Sequence, residues 1–195
     1  THHSLHDYAA LRAVNNITII APADNFETRE TIKAIHNIAH PVYVRIGKAP
    51  IAHVHAEGSS FTIGKAALIQ DGRDLTFIAC GETVPIAVEA AQHLAAEGIT
   101  CRVLSMHTLK PLDEEAVRKA AHETRAIVTV EEHSVHGGLG EACAAILMQQ
   151  GARVPFKIVG FPDEHMVSGS QKEIFNHYGI SPSGLAETAG QLRSK

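Results

Sequence analysis

Leu75-Thr76-Phe77-Ile78-Ala79-Cys80, closed by Gly81, is the stretch whose reading decides the fold. It is a short apolar run rich in β-formers, the pattern of a buried strand entering a turn. Over residues 84–97, Val84, Ala87, Val88, Ala91, Leu94 and Ala95 recur at helical spacing and share one face; Pro85 suits a first turn and Gly98 ends the helix. Residues 99–106 return as strand. Asp113 caps a second helix behind the apolar pair Leu112 and Val117, residues 127–130 form a third strand, and His136-Gly-Gly-Leu-Gly140 turns into a third helix. Strands alternating with amphipathic helices across short loops predict crossovers onto a mostly parallel sheet covered by helices, a three-layer α/β/α unit.

Downstream, Leu139, Ala142, Cys143, Ile146 and Leu147 share one helix face, and Phe156-Lys-Ile-Val159 is a fourth strand. The tail predicts short helices over residues 173–177 and 183–192. Upstream, Leu5, Tyr8, Ala9 and Arg12 fit a short helix, and Asn15-Asn16 is turn chemistry before a strand at residues 17–21. Asp24 or Asn25 caps a helix whose apolar spacing is Phe26, Ile32, Ile35 and Ile38, and Val42-Tyr-Val-Arg-Ile46 reads as strand. Two strands cannot bury both faces of a sheet, so residues 1–50 are a partial α/β unit. Residues 51–74 read as linker, with a hairpin pairing 61–63 with 67–69.

Composition bounds the function. The 195 residues are 45% hydrophobic and 19% charged, a globular balance, and the formal net charge is -4 with no basic run, which argues against a nucleic acid partner. No apolar stretch is long enough to span a membrane and no signal-peptide pattern opens the chain, so a cytoplasmic protein is expected. Cys80, Cys101 and Cys143 lie far apart in apolar runs and read as reduced core residues. Thr1 stands where a Met would begin a chain, and the expectation is a fragment.

Several polar groups invite chemistry. His2, His3 and His6 have helical metal-ligand spacing, but no further ligand completes a set, so lining of a site is the better reading. His53 and His55 sit in linker and read as chance in a chain with 14 histidines. Gly137-Gly-Leu-Gly140 resembles a phosphate cradle, yet Glu131 and Glu132 would repel phosphate; close packing of helix on sheet is the better account. Glu131 and Glu132 stand at a strand's C-terminal end, where catalytic groups of open α/β sheets often lie, but with no partner evident a structural or interface role is favoured.

Five blocks carry a resemblance: Thr1-His-His-Ser-Leu-His-Asp7, Pro22-Ala-Asp24, Pro41-Val-Tyr-Val-Arg-Ile46, Leu109-Lys-Pro-Leu-Asp113 and Glu131-Glu-His-Ser-Val-His-Gly-Gly-Leu-Gly140. Their order and spacing are similar to those in the C-terminal half of transketolases, across essentially the whole chain. The resemblance implies a partial transketolase pyrimidine-binding domain over 1–50, a connector over 51–74 and a transketolase C-terminal domain over 75–195. It implies a thiamine diphosphate-dependent transferase of the pentose phosphate type, moving a two-carbon ketol unit between sugar phosphates. Deoxyxylulose-phosphate synthases and 2-oxo-acid dehydrogenase β chains share the layout, with Thr108-Leu-Lys-Pro-Leu-Asp113 favouring transketolase.

Two residues carry over from the family. His2 matches a histidine that lines the active site beside cofactor and substrate, an expected catalytic and substrate-binding role suited to imidazole near neutral pH. Arg45 matches the strand-end arginine that grips the sugar phosphate, although many transketolases have Ser where Val44 stands. The family's Mg²⁺ and diphosphate sit on a Gly-Asp-Gly motif, which this sequence lacks, and its cofactor-protonating glutamate would lie before Thr1. Thiamine diphosphate and Mg²⁺ are therefore expected in the complete enzyme and not on this chain alone. The expected partners are an N-terminal thiamine diphosphate-binding half, a second copy in a homodimer, and a sugar phosphate. The alternative is a non-catalytic binding or assembly module.

Overall fold

A computed structural model describes residues 5–48 and 50–193. The chain begins with helix Asp7–Arg12 (α1), strand Thr18–Ile20 (β1), helix Asn25–Ile35 (α2) and strand Val42–Val44 (β2). Strands Ala67–Gln70 (β3) and Leu75–Ala79 (β4) precede helix Thr83–Ala96 (α3), and Cys101–Ser105 (β5) and Thr108–Lys110 (β6) precede helix Glu114–Glu123 (α4). Strand Ile127–Ser134 (β7), helix Leu139–Gln149 (α5), strand Phe156–Phe161 (β8) and helices Gln171–His177 (α6) and Pro182–Arg193 (α7) complete it.

The expected α/β/α sandwich forms. Its five-stranded sheet has the order β3-β5-β4-β7-β8, parallel except for β3 at one edge. Side chains alternate across the strands and so build two cores. Leu75, Phe77, Ala79, Val103, Val128 and Val130 meet α3, α6 and α7 on one face. Ile78, Leu104 and Ile127 meet Val117 and Ala120 of α4 and Leu139, Cys143 and Leu147 of α5 on the other. The caps fall where the sequence puts them: Asp113 Oδ1 accepts from Ala116 N at 3.2 Å, with Leu112 and Val117 in one cluster, and Asp24 Oδ1 accepts from Glu27 N at 3.0 Å. All three cysteines are free and buried.

The partial unit gains a strand that the sequence reading did not anticipate. A second sheet has the order β2-β1-β6: β1 pairs parallel with β2 and antiparallel with β6, which belongs to the C-terminal part of the chain. The expected hairpin is not formed. Residues 61–63 carry no strand, and Ala67–Gln70 pairs antiparallel with β5 instead, where the open edge of a larger sheet offers more backbone partners than a local ribbon. The apolar spacing expected for α2 also fails to mark its buried face: Glu27 and Thr31 are buried, whereas Ile32 is 53% exposed.

Candidate functional site

Arg45 follows β2, and its amide continues the parallel ladder by donating to Ile20 O at 2.9 Å. Its guanidinium therefore projects from the end of a strand pair toward the end of β7. Nη1 donates to the Glu132 carbonyl at 2.7 Å and Nη2 to Glu132 Oε2 at 2.8 Å. Asp7 Oδ1 lies 3.5 Å from Nη1, and the guanidinium carbon stands 4.9 Å from the centre of the Tyr8 ring. The Arg45 side chain is 17% exposed and that of Glu132 21%, so the pair is partly open to solvent and does not lie in the core.

Neighbouring groups fix this pair from several elements. Tyr43 OH donates to Asp7 Oδ2 at 2.8 Å. Gln171, the first residue of α6, donates Nε2 to Glu132 Oε1 at 2.9 Å and also to Glu82 Oε2, at the head of α3. Gly47 makes room for that second carboxylate, because a Cβ there would overlap Glu82 Oε1. One cation thus faces Glu132 and Asp7, with Glu82 joined through Gln171.

The period of β7 explains why consecutive residues do different work. Glu132 shares a face with Val128 and Val130, while Glu131 and His133 point to the opposite side. His133 is buried, stacked 4.8 Å from the Tyr8 ring, with Nδ1 2.7 Å from Ser134 O and Nε2 accepting Ala9 N–H at 3.3 Å. Those partners place its proton on Nδ1, and burial lowers its pKa, so the ring is neutral. Glu131 is wholly buried and accepts from Leu139 N at 2.7 Å and Gly140 N at 2.8 Å. The anion seat at the start of α5 is therefore filled by the protein's own carboxylate. A Cβ at Gly138 would overlap Glu131, and one at Gly140 would overlap Ile158, which bears out the packing account of this glycine turn. Burial pushes the Glu131 pKa up to about 7 against the pull of the two amides.

A third cluster corrects the reading of His55 as chance. His55 is buried, with Nδ1 3.0 Å from Asp24 Oδ2 and Nε2 3.2 Å from Glu27 Oε1; its ring centre is 4.8 Å from that of Phe26. Glu27 Oε2 accepts Ala23 N–H at 2.6 Å. Burial alone would lower the His55 pKa, but the carboxylates on either side raise it. Burial likewise opposes ionisation of Asp24, yet donors from Glu27 N, His55 and Val54 N bring its pKa down to about 2. His53, exposed, also places Nδ1 3.0 Å from Asp24 Oδ2.

A Mg²⁺-diphosphate group would draw one or two protein carboxylates to the metal beside the phosphate oxygens, and among the described residues no group of three or more His, Cys, Asp or Glu could hold a metal ion. Asp24, Glu131 and Glu132 are spent on a helix cap and a histidine, on backbone amides, and on an arginine. Among the described residues, no helix is long and apolar enough to cross a membrane.

Residues 64–185 match the family of the transketolase C-terminal domain, and residues 1–52 match the transketolase pyrimidine binding domain. The chain belongs to the transketolase family. It is similar to one of the subunits of the apulose-4-phosphate transketolase of Phocaeicola vulgatus, 47% identical over all of this chain and 62% of that protein. It is also similar to 1-deoxy-D-xylulose-5-phosphate synthase of Heliobacterium modesticaldum, 37% identical over 98% of this chain and 30% of that one. Among solved structures, a split gene transketolase described as an inactive beta4 tetramer superposes with a TM-score of 0.89 at 34% identity, over 99% of this chain and 62% of that chain. The chain therefore spans under two thirds of the length of these relatives.

Within this transketolase chain, His2 lies outside the described residues, as does His3. Arg45 directly follows β2, but the partners around it were not read from the sequence. Asp7, Glu132 and Gln171 come from segments far apart in the chain, Glu132 standing 87 positions from Arg45. His55 was missed because its partners precede it by 31 positions and only the folded chain brings them together.

Proposed function

We propose that this chain is the C-terminal part of a thiamine diphosphate-dependent transketolase that moves a two-carbon ketol unit between sugar phosphates in the cytoplasm. The observation that carries this reading is the 47% identity, over the full chain, to a subunit of an apulose-4-phosphate transketolase. The chain supplies the substrate-phosphate end of the site through Arg45, with His2 lining the reacting end, and it supplies surface for a homodimer. The thiazolium chemistry and the Mg²⁺ site belong to an N-terminal half, in keeping with the lack of a Gly-Asp-Gly motif in this sequence.

The test is reconstitution. This chain, completed with its pyrimidine-domain beginning and mixed with a thiamine diphosphate-binding half, Mg²⁺ and cofactor, should transfer the ketol unit between phosphorylated sugars. Calorimetric titration of the cofactor into this chain alone should show no tight stoichiometric site. A second reading is favoured by the 37% identity to a 1-deoxy-D-xylulose-5-phosphate synthase. Supplied instead with a short 2-oxo acid donor and a triose phosphate acceptor, the same proteins would select it by forming 1-deoxyxylulose 5-phosphate with release of CO₂ in place of ketol transfer.

A further inference from the structure

We propose that the Glu132 carboxylate occupies the seat of the substrate's terminal anion on Arg45, and that it moves onto Gln171 when that anion arrives. Glu132 is then the positioning residue that sets how strongly this chain grips phosphorylated substrates. The proposal rests on the reading of Arg45 as the phosphate-gripping residue.

The two contacts of Arg45 with Glu132 differ in kind. Nη1 donates to a main-chain carbonyl inside a strand, which cannot leave without breaking β7, whereas Nη2 donates to a carboxylate at the end of a flexible side chain. One contact orients the guanidinium and the other is exchangeable. The displaced carboxylate has somewhere to go: its second oxygen already accepts from Gln171 Nε2 at 2.9 Å, so it keeps a hydrogen bond after releasing Arg45. The pair is reachable, at 17% and 21% side-chain exposure. It is also nearly balanced energetically, since a partly exposed ion pair contributes little net, while a phosphate accepts the arginine fork with more charge. Electrostatics supply the need for movement. With Glu132 in place, a dianion approaching Arg45 meets two carboxylates on one cation, Asp7 at 3.5 Å and Glu132 at 2.8 Å. Withdrawing Glu132 leaves one.

The test uses the complete enzyme, with inorganic phosphate as a competitive inhibitor and a matched pair of donors, phosphorylated and unphosphorylated. Glu132→Gln keeps an acceptor for Gln171 and removes the competing charge. It should tighten inhibition by phosphate and lower KM for the phosphorylated donor by roughly threefold to thirtyfold, the scale of one screened charge at contact distance, without the same gain on the unphosphorylated donor. Gln171→Leu removes the resting place of the displaced carboxylate and should shift phosphate binding the opposite way. A merely structural role for Glu132 would weaken binding in both variants. Phosphate binding unchanged or weakened by Glu132→Gln overturns the proposal, and should that variant fail to fold, tighter or unchanged binding in Gln171→Leu does so. Arg45→Ala run alongside separates the two readings. If Arg45→Ala costs the phosphorylated donor selectively while Glu132→Gln does not tighten phosphate, only the role of Glu132 fails; if Arg45→Ala costs both donors equally, the reading of Arg45 fails.

Discussion

The Ala21 carbonyl accepts the Gly81 amide at 3.0 Å, joining the end of β1 to the turn that closes β4. Ala21 N in turn donates to His107 O at 2.7 Å, and β6 continues from there as the third strand of the first sheet. Gly81 has φ +57, a left-handed conformation that glycine adopts without strain, so the residue that ends the deciding strand also seats the N-terminal segment. The two sheets are joined end to end along this seam, and Arg45 stands beside it.

The N-terminal segment should be the less stable part, because its strands depend on three borrowed residues, Thr108–Lys110. Leu109 is buried in the second core, and Leu109→Ala should destabilise the protein by about 2–4 kcal/mol. Hydrogen exchange should show β4, β5 and β7 best protected and β1 and β2 opening first, with the variant widening the gap. Equal protection of both sheets would contradict this account.

Glu131 couples stability to pH. Its folded pKa of about 7 lies above the ordinary value near 4.3, so the folded chain binds the proton more tightly, and stability falls as pH rises from about 4.3 to about 7, by roughly 3–4 kcal/mol in all. Glu131→Gln should flatten that slope. Glu131→Ala, which leaves the Leu139 and Gly140 amides buried without an acceptor, should cost about 2–4 kcal/mol. Urea unfolding from acid to neutral pH measures both; equal slopes for wild type and Glu131→Gln would refute the assignment.

The Asp24–His55–Glu27 cluster predicts two dependences of opposite sign. His55 has a raised pKa, so its contribution is complete below about 6.5 and is lost as pH rises through the folded value. Asp24 has a pKa lowered to about 2, so its contribution is present above about 3.9 and is lost as pH falls through about 2. His55→Ala should therefore destabilise by about 3–5 kcal/mol near pH 6, since it leaves buried carboxylates without their partner, and by less near pH 9. Thermal unfolding at the two pH values decides it, and an equal loss at both would count against a charged imidazole.

Much of the fold was legible because its signals are local. Asp24 and Asp113 mark helix starts by side-chain chemistry within a turn of their partners, and the runs at residues 75–80 and 127–130 mark buried strands by composition. Strand partners are not local, which is why Ala67–Gln70 was assigned to a hairpin and Thr108–Lys110, too short to show a period, to no strand. The α2 face was misread for an energetic reason: Glu27 is buried because Ala23 N and His55 satisfy its carboxylate, and that compensation lies outside the helix. Arg45 was singled out through the family resemblance alone, and Asp7, Glu132 and Gln171 carried no sequence signal of their convergence around it.

The claim that this chain carries the phosphate end of a transketolase site is tested most directly by Arg45→Ala in the complete enzyme, assayed on a phosphorylated and an unphosphorylated donor. Loss of a charge-assisted contact of about 1.5–3 kcal/mol should lower kcat/KM for the phosphorylated donor roughly tenfold to a hundredfold or more. The loss should fall mainly on KM, because the phosphate is remote from the bond being broken and is held alike in ground and transition states. The unphosphorylated donor should be nearly unaffected. Equal losses on the two donors would contradict the account and leave Arg45 as the tie between β2 and β7 that its bonds to Glu132 already make it.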